Sequence, residues 1–257
     1  MAALWERGCI AAFPIDCFIL ISGTLCWRVS TGHHLTESAI DGLNASYANT
    51  GFVGFPLVLS LVGDTGMAPT LIATIVTVCV LFAIAIVLIE AGLQTEARRR
   101  DIVAKTLFSL VKNPLLVAPA LGGLVMVSGG HLPEPIHAFM KLLGGAASPC
   151  ALIALGLFLA GNSAHAVPAR QSTAAILVSL KLIAQPLITW IIAAPVLHLP
   201  PAMTKVAVLL AALPTGTGSF MLAEFYDREA ALTGRVVLAT TVFSIATISL
   251  YLAFTPA

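Results

Sequence analysis

Two short stretches decide how this chain is read: Ala48-Asn49-Thr50-Gly51-Phe52-Val53-Gly54-Phe55-Pro56 and Leu213-Pro214-Thr215-Gly216-Thr217-Gly218-Ser219-Phe220. Each sits inside an apolar run and is rich in glycine, proline, threonine or serine. An acid follows each, Asp64 and Asp227, and then a threonine-bearing apolar run. Ile72-Ala73-Thr74-Ile75-Val76 pairs with Leu238-Ala239-Thr240-Thr241-Val242. Thr50 and Thr215 are 165 positions apart, Ile72 and Leu238 are 166 apart, and this constancy marks an internal repeat.

Working outward, apolar runs of roughly 20 residues, the length of a bilayer crossing, lie at 9–28, 43–62, 68–92, 107–128, 136–161, 173–197, 205–223 and 235–254. The first is the weakest, because Pro14 and Asp16 interrupt it. The two marked stretches fall in the second and seventh runs. Five runs is an odd step, so the second copy is inserted upside down relative to the first. Inverted repeats with paired, Gly/Pro-interrupted helices are the sequence signature of a secondary transporter. Pro56 and Pro214 each remove a backbone donor and clash with the preceding turn. Backbone groups freed in hydrocarbon cost several kcal/mol each, so they must line a cavity or meet protein partners. Two half-helix N-termini facing one cavity offer partial positive charge and free N–H donors, a site suited to a carboxylate.

Composition agrees. The 257 residues are 58% hydrophobic and 10% charged, against about 25% charged in a soluble domain. The expected fold class is an all-α multi-pass membrane protein, an inverted-repeat secondary transporter with two broken crossover helices and about eight spans. A soluble enzyme and a secreted disulfide scaffold are excluded on composition. A net charge of +1 offers no footprint for nucleic acid. The five cysteines are scattered, with no CxxC pair. Gly216-Thr217-Gly218 lacks the third glycine and the preceding strand of a nucleotide loop, no P-loop exists, and no cofactor is called for. His33-His34 has only Glu37 and Asp41 nearby, too few for a metal site.

The basic run Arg98-Arg99-Arg100 with Lys105 orients the chain. With that loop in the cytoplasm, nine Lys and Arg residues lie at cytoplasmic ends, while Arg7, Lys141 and Lys205 lie outside. Lys181 falls within a span, one turn from Gln185. It is either a functional cation or a side chain snorkelling to the membrane edge. Glu90 reads as interfacial. Pro149, Cys150 and Gly156, with the small residues Gly144-Gly145-Ala146-Ala147, read as helix packing. Glu224, Asp227, Arg228, Glu229 and Arg235 read as a solvated cluster.

The residues Asn49 to Leu57 are similar to the crossover motif of the auxin efflux carrier family, which includes plant auxin exporters and bacterial carriers often labelled malonate transporters. Asn113-Pro114-Leu115-Leu116, the stretch Ala147-Ser148-Pro149-Cys150 through Phe158, and Ala212-Leu213-Pro214-Thr215-Gly216 resemble three further family landmarks, in the right order. The resemblance covers about residues 40–255. It implies ten spans in two inverted repeats, with the fourth and ninth crossing at the two prolines. It also implies homodimers that move by an elevator-like mechanism, and it places Asn49 where the plant carriers contact the substrate carboxylate. The front departs from the pattern: 9–28 reads as a third span, the first two spans have no counterpart, and an incomplete N-terminus is the expectation. Residues 1–92 then form an incomplete first repeat and 107–254 a complete second one, within a single membrane domain.

The function expected is alternating-access transport of a small organic anion, malonate or another carboxylate, by a multi-pass protein of the cell (inner) membrane. Its partners would be the lipid bilayer, the anion and a second copy of the chain. Asn49, Thr50, Gly51, Thr215, Gly216, Thr217 and Ser219 are the expected substrate contacts. Pro56 and Pro214 hold the breaks, and Lys181 is a candidate charge partner. The alternative is a carrier fragment or structural subunit without transport activity.

Overall fold

A computed structural model describes residues 2–93, 114–129, 132–161 and 168–255. The described residues are helical almost throughout. Helix α1 (Ala2–Ser30) is followed by α2 (Leu35–Ser46), a π turn (Thr50–Gly54) and α3 (Phe55–Val62). Next come α4 (Met67–Ile75), a second π turn (Val76–Leu81) and α5 (Phe82–Leu93) as one apolar rod. Helices α6 (Pro114–Val127) and α7 (Glu134–Gly161) precede α8 (Pro168–Ser179), which runs through a π turn (Leu180–Ala184) into α9 (Gln185–Ile191). Helices α10 (Pro201–Ala211), α11 (Thr217–Phe225) and α12 (Ala230–Phe254) complete the chain.

Among the described residues, four stretches are long and apolar enough to cross a bilayer: Ala11–Ser30, Asp64–Leu93, Gln171–Val196 and Ala230–Phe254. Thr50–Val62 and Pro201–Ala211 are shorter apolar helices, each about half of a crossing. They belong to the two interrupted rods, α2–α3 and α10–α11. These rods are surrounded by α1, α4–α5, α8–α9 and α12. The main core joins Phe13, Cys17 and Ile21 of α1 to Ile40 and Leu43 of α2, to Phe82, Ile86 and Ile89 of α5, and to Leu209 and Leu210 of α10.

The first rod differs from the run read at 43–62. Its first half starts at Leu35 and is polar, with Thr36, Ser38, Asp41, Asn44 and Ser46 all buried. Hydropathy misses this arm because it is covered by protein rather than lipid. Its polar side chains meet partners inside: Asp41 forms an ion pair with Arg28 of α1 at 2.5 Å, and Asn44 donates to Thr233 of α12 at 3.0 Å. Gly42 lets the arm lie against α1, since a Cβ there would come within 2.8 Å of Ile21 Cγ1.

Pro56 does not make the break. It lies in the first turn of α3 and is exposed, seven or more residues beyond the extended segment 47–49. Its effect is the π turn ahead of it. A proline supplies no N–H and crowds the preceding turn, and the helix answers by widening, so that Gly54 N–H reaches Asn49 O at 3.0 Å. The same spacing recurs at Pro186, which follows the π turn Leu180–Ala184. Of the run read at 107–128, only 114–128 lies within the described residues. The basic loop 98–105 lies outside them.

Candidate site where the broken helices cross

The two breaks lie side by side. Asn49 N–H donates to Pro214 O at 2.9 Å, and Gly216 N–H donates to Tyr47 O at 3.0 Å. Together they form a one-residue antiparallel bridge between Ala48 and Thr215. The backbone groups released by each interruption are therefore satisfied by the other, the condition for leaving helical geometry at membrane depth. The following rod of each copy supplies a threonine. Thr240 Oγ1 accepts the Thr215 N–H at 3.1 Å, and the hydroxyls of Thr77 and Thr50 pair at 3.1 Å.

The crossing has two electrically opposite sides. On one side α2 and α10 end, presenting C-terminal carbonyls, which carry partial negative charge. Lys181 is fully buried there and donates to Ala211 O at 3.0 Å and to the Gln185 side chain. Gln185 donates to Ser46 O at 3.1 Å and to Asp16 Oδ1 at 3.3 Å. Asp16 also accepts from Thr189. Lys181 thus does not snorkel: it is tied into a network that joins both half-helix ends to α1.

On the other side the π turn and α3 begin at Thr50 and α11 begins at Thr217. A cavity of about 240 Å³ opens between them. It is lined by Tyr47, Asn49, Thr50 and Gly51 of the first break and by Gly216, Thr217 and Gly218 of the second, with Thr74 and Val78 on the wall. Among the described residues, no carboxylate, amine, guanidinium or imidazole lines it. Positive potential comes instead from two helix N-termini, about half an elementary charge each. Asn49 precedes the π turn, but its side chain does not cap it.

Of the residues expected to contact substrate, Asn49, Thr50, Gly51, Gly216 and Thr217 gather around this cavity. Thr215 and Ser219 do not line it: Thr215 Oγ1 donates to Asn44 O at 2.9 Å, and Ser219 Oγ donates to Gly216 O at 3.0 Å. Both hydroxyls serve the backbone, as Ser and Thr commonly do in helices. Pro214 stands at its break, and Lys181 is on the opposite side of the crossing. Sequence reasoning missed Tyr47 and Asp16. Asp16 carried a signal, a lone acid in an apolar run. Tyr47 carried none. Glu90 accepts from the Tyr226 hydroxyl at 2.9 Å, and His34 caps α2 through the Thr36 N–H.

Comparison with known proteins places this geometry. The family model described as "Membrane transport protein" matches residues 13–252. The Rhizobium meliloti (strain 1021) protein named "Putative malonate transporter" is 26% identical over 215 residues, 84% of this chain and 66% of that protein. "Uncharacterized transporter YfdV" of Escherichia coli (strain K12), and its counterpart in Shigella flexneri, are 26% identical over 216 residues, 83% of this chain and 66% of theirs. The chain spans 66% of the length of these curated relatives. With the match running across both breaks and nearly all of the described helices, the chain belongs to this family of membrane transport proteins, the auxin efflux carrier family that its motifs resemble.

Proposed function

We propose that the protein is a secondary carrier of a small organic anion, with one carboxylate of the substrate held in the cavity at the crossing. The observation that carries the reading is the pair of helix N-termini converging on a compact cavity that, among the described residues, has no charged side chain. Two half-charges sum to about one elementary charge, which suits a single carboxylate. Asn49 supplies an amide donor at the mouth of the π turn, and Thr50 and Thr217 supply hydroxyls. Malonate is the first candidate, because a relative carries that name. The carrier would work by alternating access in the cell (inner) membrane as a homodimer, driven by a proton or by the membrane potential.

The test is uptake of labelled malonate and related acids into vesicles bearing the protein. Asn49→Ala is expected to abolish uptake while membrane insertion, followed by fractionation, stays unchanged. Undiminished uptake by that variant would remove Asn49 from the site.

A further inference from the structure

We infer that Tyr47 is the specificity-determining wall of the cavity, restricting it to short-chain acids and excluding aromatic or branched ones. This rests on the carrier reading above and names the substrate class of that same site.

Tyr47 is the first residue past the end of α2, and its backbone is fixed at both sides. Its N–H donates to Leu43 O at 2.8 Å, and its carbonyl accepts from Gly216 at 3.0 Å. The ring is also fixed, only 8% of the residue being exposed. Phe82 backs it, with ring centroids 5.5 Å apart and planes tilted by 48°. One edge of it, from Cδ1 to the phenol oxygen, lies against the first turn of α11. A Cβ placed on Gly216 would run into ring carbons Cε1 and Cδ1, and one placed on Gly218 would come 2.8 Å from the phenol oxygen. Glycine at both positions is what lets an aromatic ring approach the start of that helix so closely.

The ring therefore occupies the space next to the N–H groups that would receive a carboxylate. What remains is about 240 Å³, below the range of about 300–1,000 Å³ typical of pockets for larger ligands. A short acid fits with its carboxylate toward the first turn of α11 at Thr217 and Gly218. An acid with a ring next to its carboxylate meets Tyr47. Removing the ring opens the same space directly onto the helix start, so the size limit changes without any new binding group being built.

The experiment compares malonate with phenylacetate in two readouts, uptake into proteoliposomes and ligand-induced thermal stabilisation of the purified full chain. Tyr47→Ala and Tyr47→Leu are expected to raise the phenylacetate-to-malonate ratio at least tenfold over wild type in both. Tyr47→Phe, which keeps the ring, is expected to hold the wild-type ratio. Gly216→Ala alone is expected to lower the melting temperature, and Tyr47→Ala in the same chain to restore it, which shows that the ring and the glycine share one space. The inference is overturned if the ratio is unmoved in Tyr47→Ala and Tyr47→Leu, or if wild type already takes both acids equally. Absence of uptake by wild type, with stabilisation by malonate and not by phenylacetate, would sink the transport reading and leave the size limit standing.

Discussion

Lys181 and Asp16 show how far one side chain's role depends on partners distant in sequence. Lys181 stands out in the sequence as a cation inside a span. Asp16 reads only as a blemish in the weakest span. The structure makes them parts of one network, linked through Gln185, and the network grips the ends of both half-helices. Nothing in a linear reading connects α1 to α9, so the anomaly was legible and its resolution was not. Lys181→Met leaves Asp16 without a nearby cation, and the end of α10 at Ala211 and the Gln185 side-chain carbonyl without their donor. We expect a loss of about 1–3 kcal/mol, the usual cost of leaving a buried acceptor unmet, read as a lower unfolding midpoint in detergent. Asp16→Asn added to Lys181→Met should recover part of that loss, and no recovery would show that the two charges act independently.

Among the elements, the interrupted rods were legible as interrupted but not in their detail. Proline and glycine locate the second break correctly, at Pro214 and Gly216. The same rule applied to Pro56 misplaces the first, because there the proline produces a π turn while the extended segment 47–49 contains no proline at all. That segment is held by its pairing with the other copy, a tertiary effect outside the reach of local propensity. Two outcomes follow. Ala48 contributes no N–H to the bridge, and Tyr47 ahead of it is already extended, at φ −79° and ψ 101°, as a residue before proline must be. Ala48→Pro is therefore expected to be tolerated and to stabilise by about 0.4–1 kcal/mol, measured by thermal unfolding; a loss of stability would show that the N–H of Ala48 is needed. Facing residues in a bridge of this kind have Cα atoms about 4.5 Å apart, within disulfide range. With the native cysteines replaced, Ala48→Cys with Thr215→Cys should cross-link under mild oxidation, seen as a mobility shift on a non-reducing gel. Failure to cross-link would separate the two rods and remove the site with them.

Over the whole molecule, the sequence conveyed the class and the repeat, since lipid exposure writes itself into composition. It conveyed less about interior polar arms such as α2, because protein-facing helices need not be apolar. Small residues of α7 read as packing surfaces; among the described residues, nothing lies within 4 Å of where a Cβ would stand on Gly144, Gly145 or Gly156. The two copies are interlocked: Asn44 bonds Thr233, Thr215 bonds Asn44, Gln185 bonds Asp16, and the bridge joins Tyr47–Asn49 to Pro214–Gly216. Residues 1–93 and 114–257, produced together as separate chains, are thus expected to co-purify on a tag carried by either. Recovery of each alone would mean that the halves fold without each other. The ammonium of Lys181, finally, is bound by covalent tether where a free ion would come and go. Over any closed round trip a tethered charge that keeps its proton ends where it began. In the carrier proposed above, current across the bilayer would therefore tally the guest and its companions, and never this lysine.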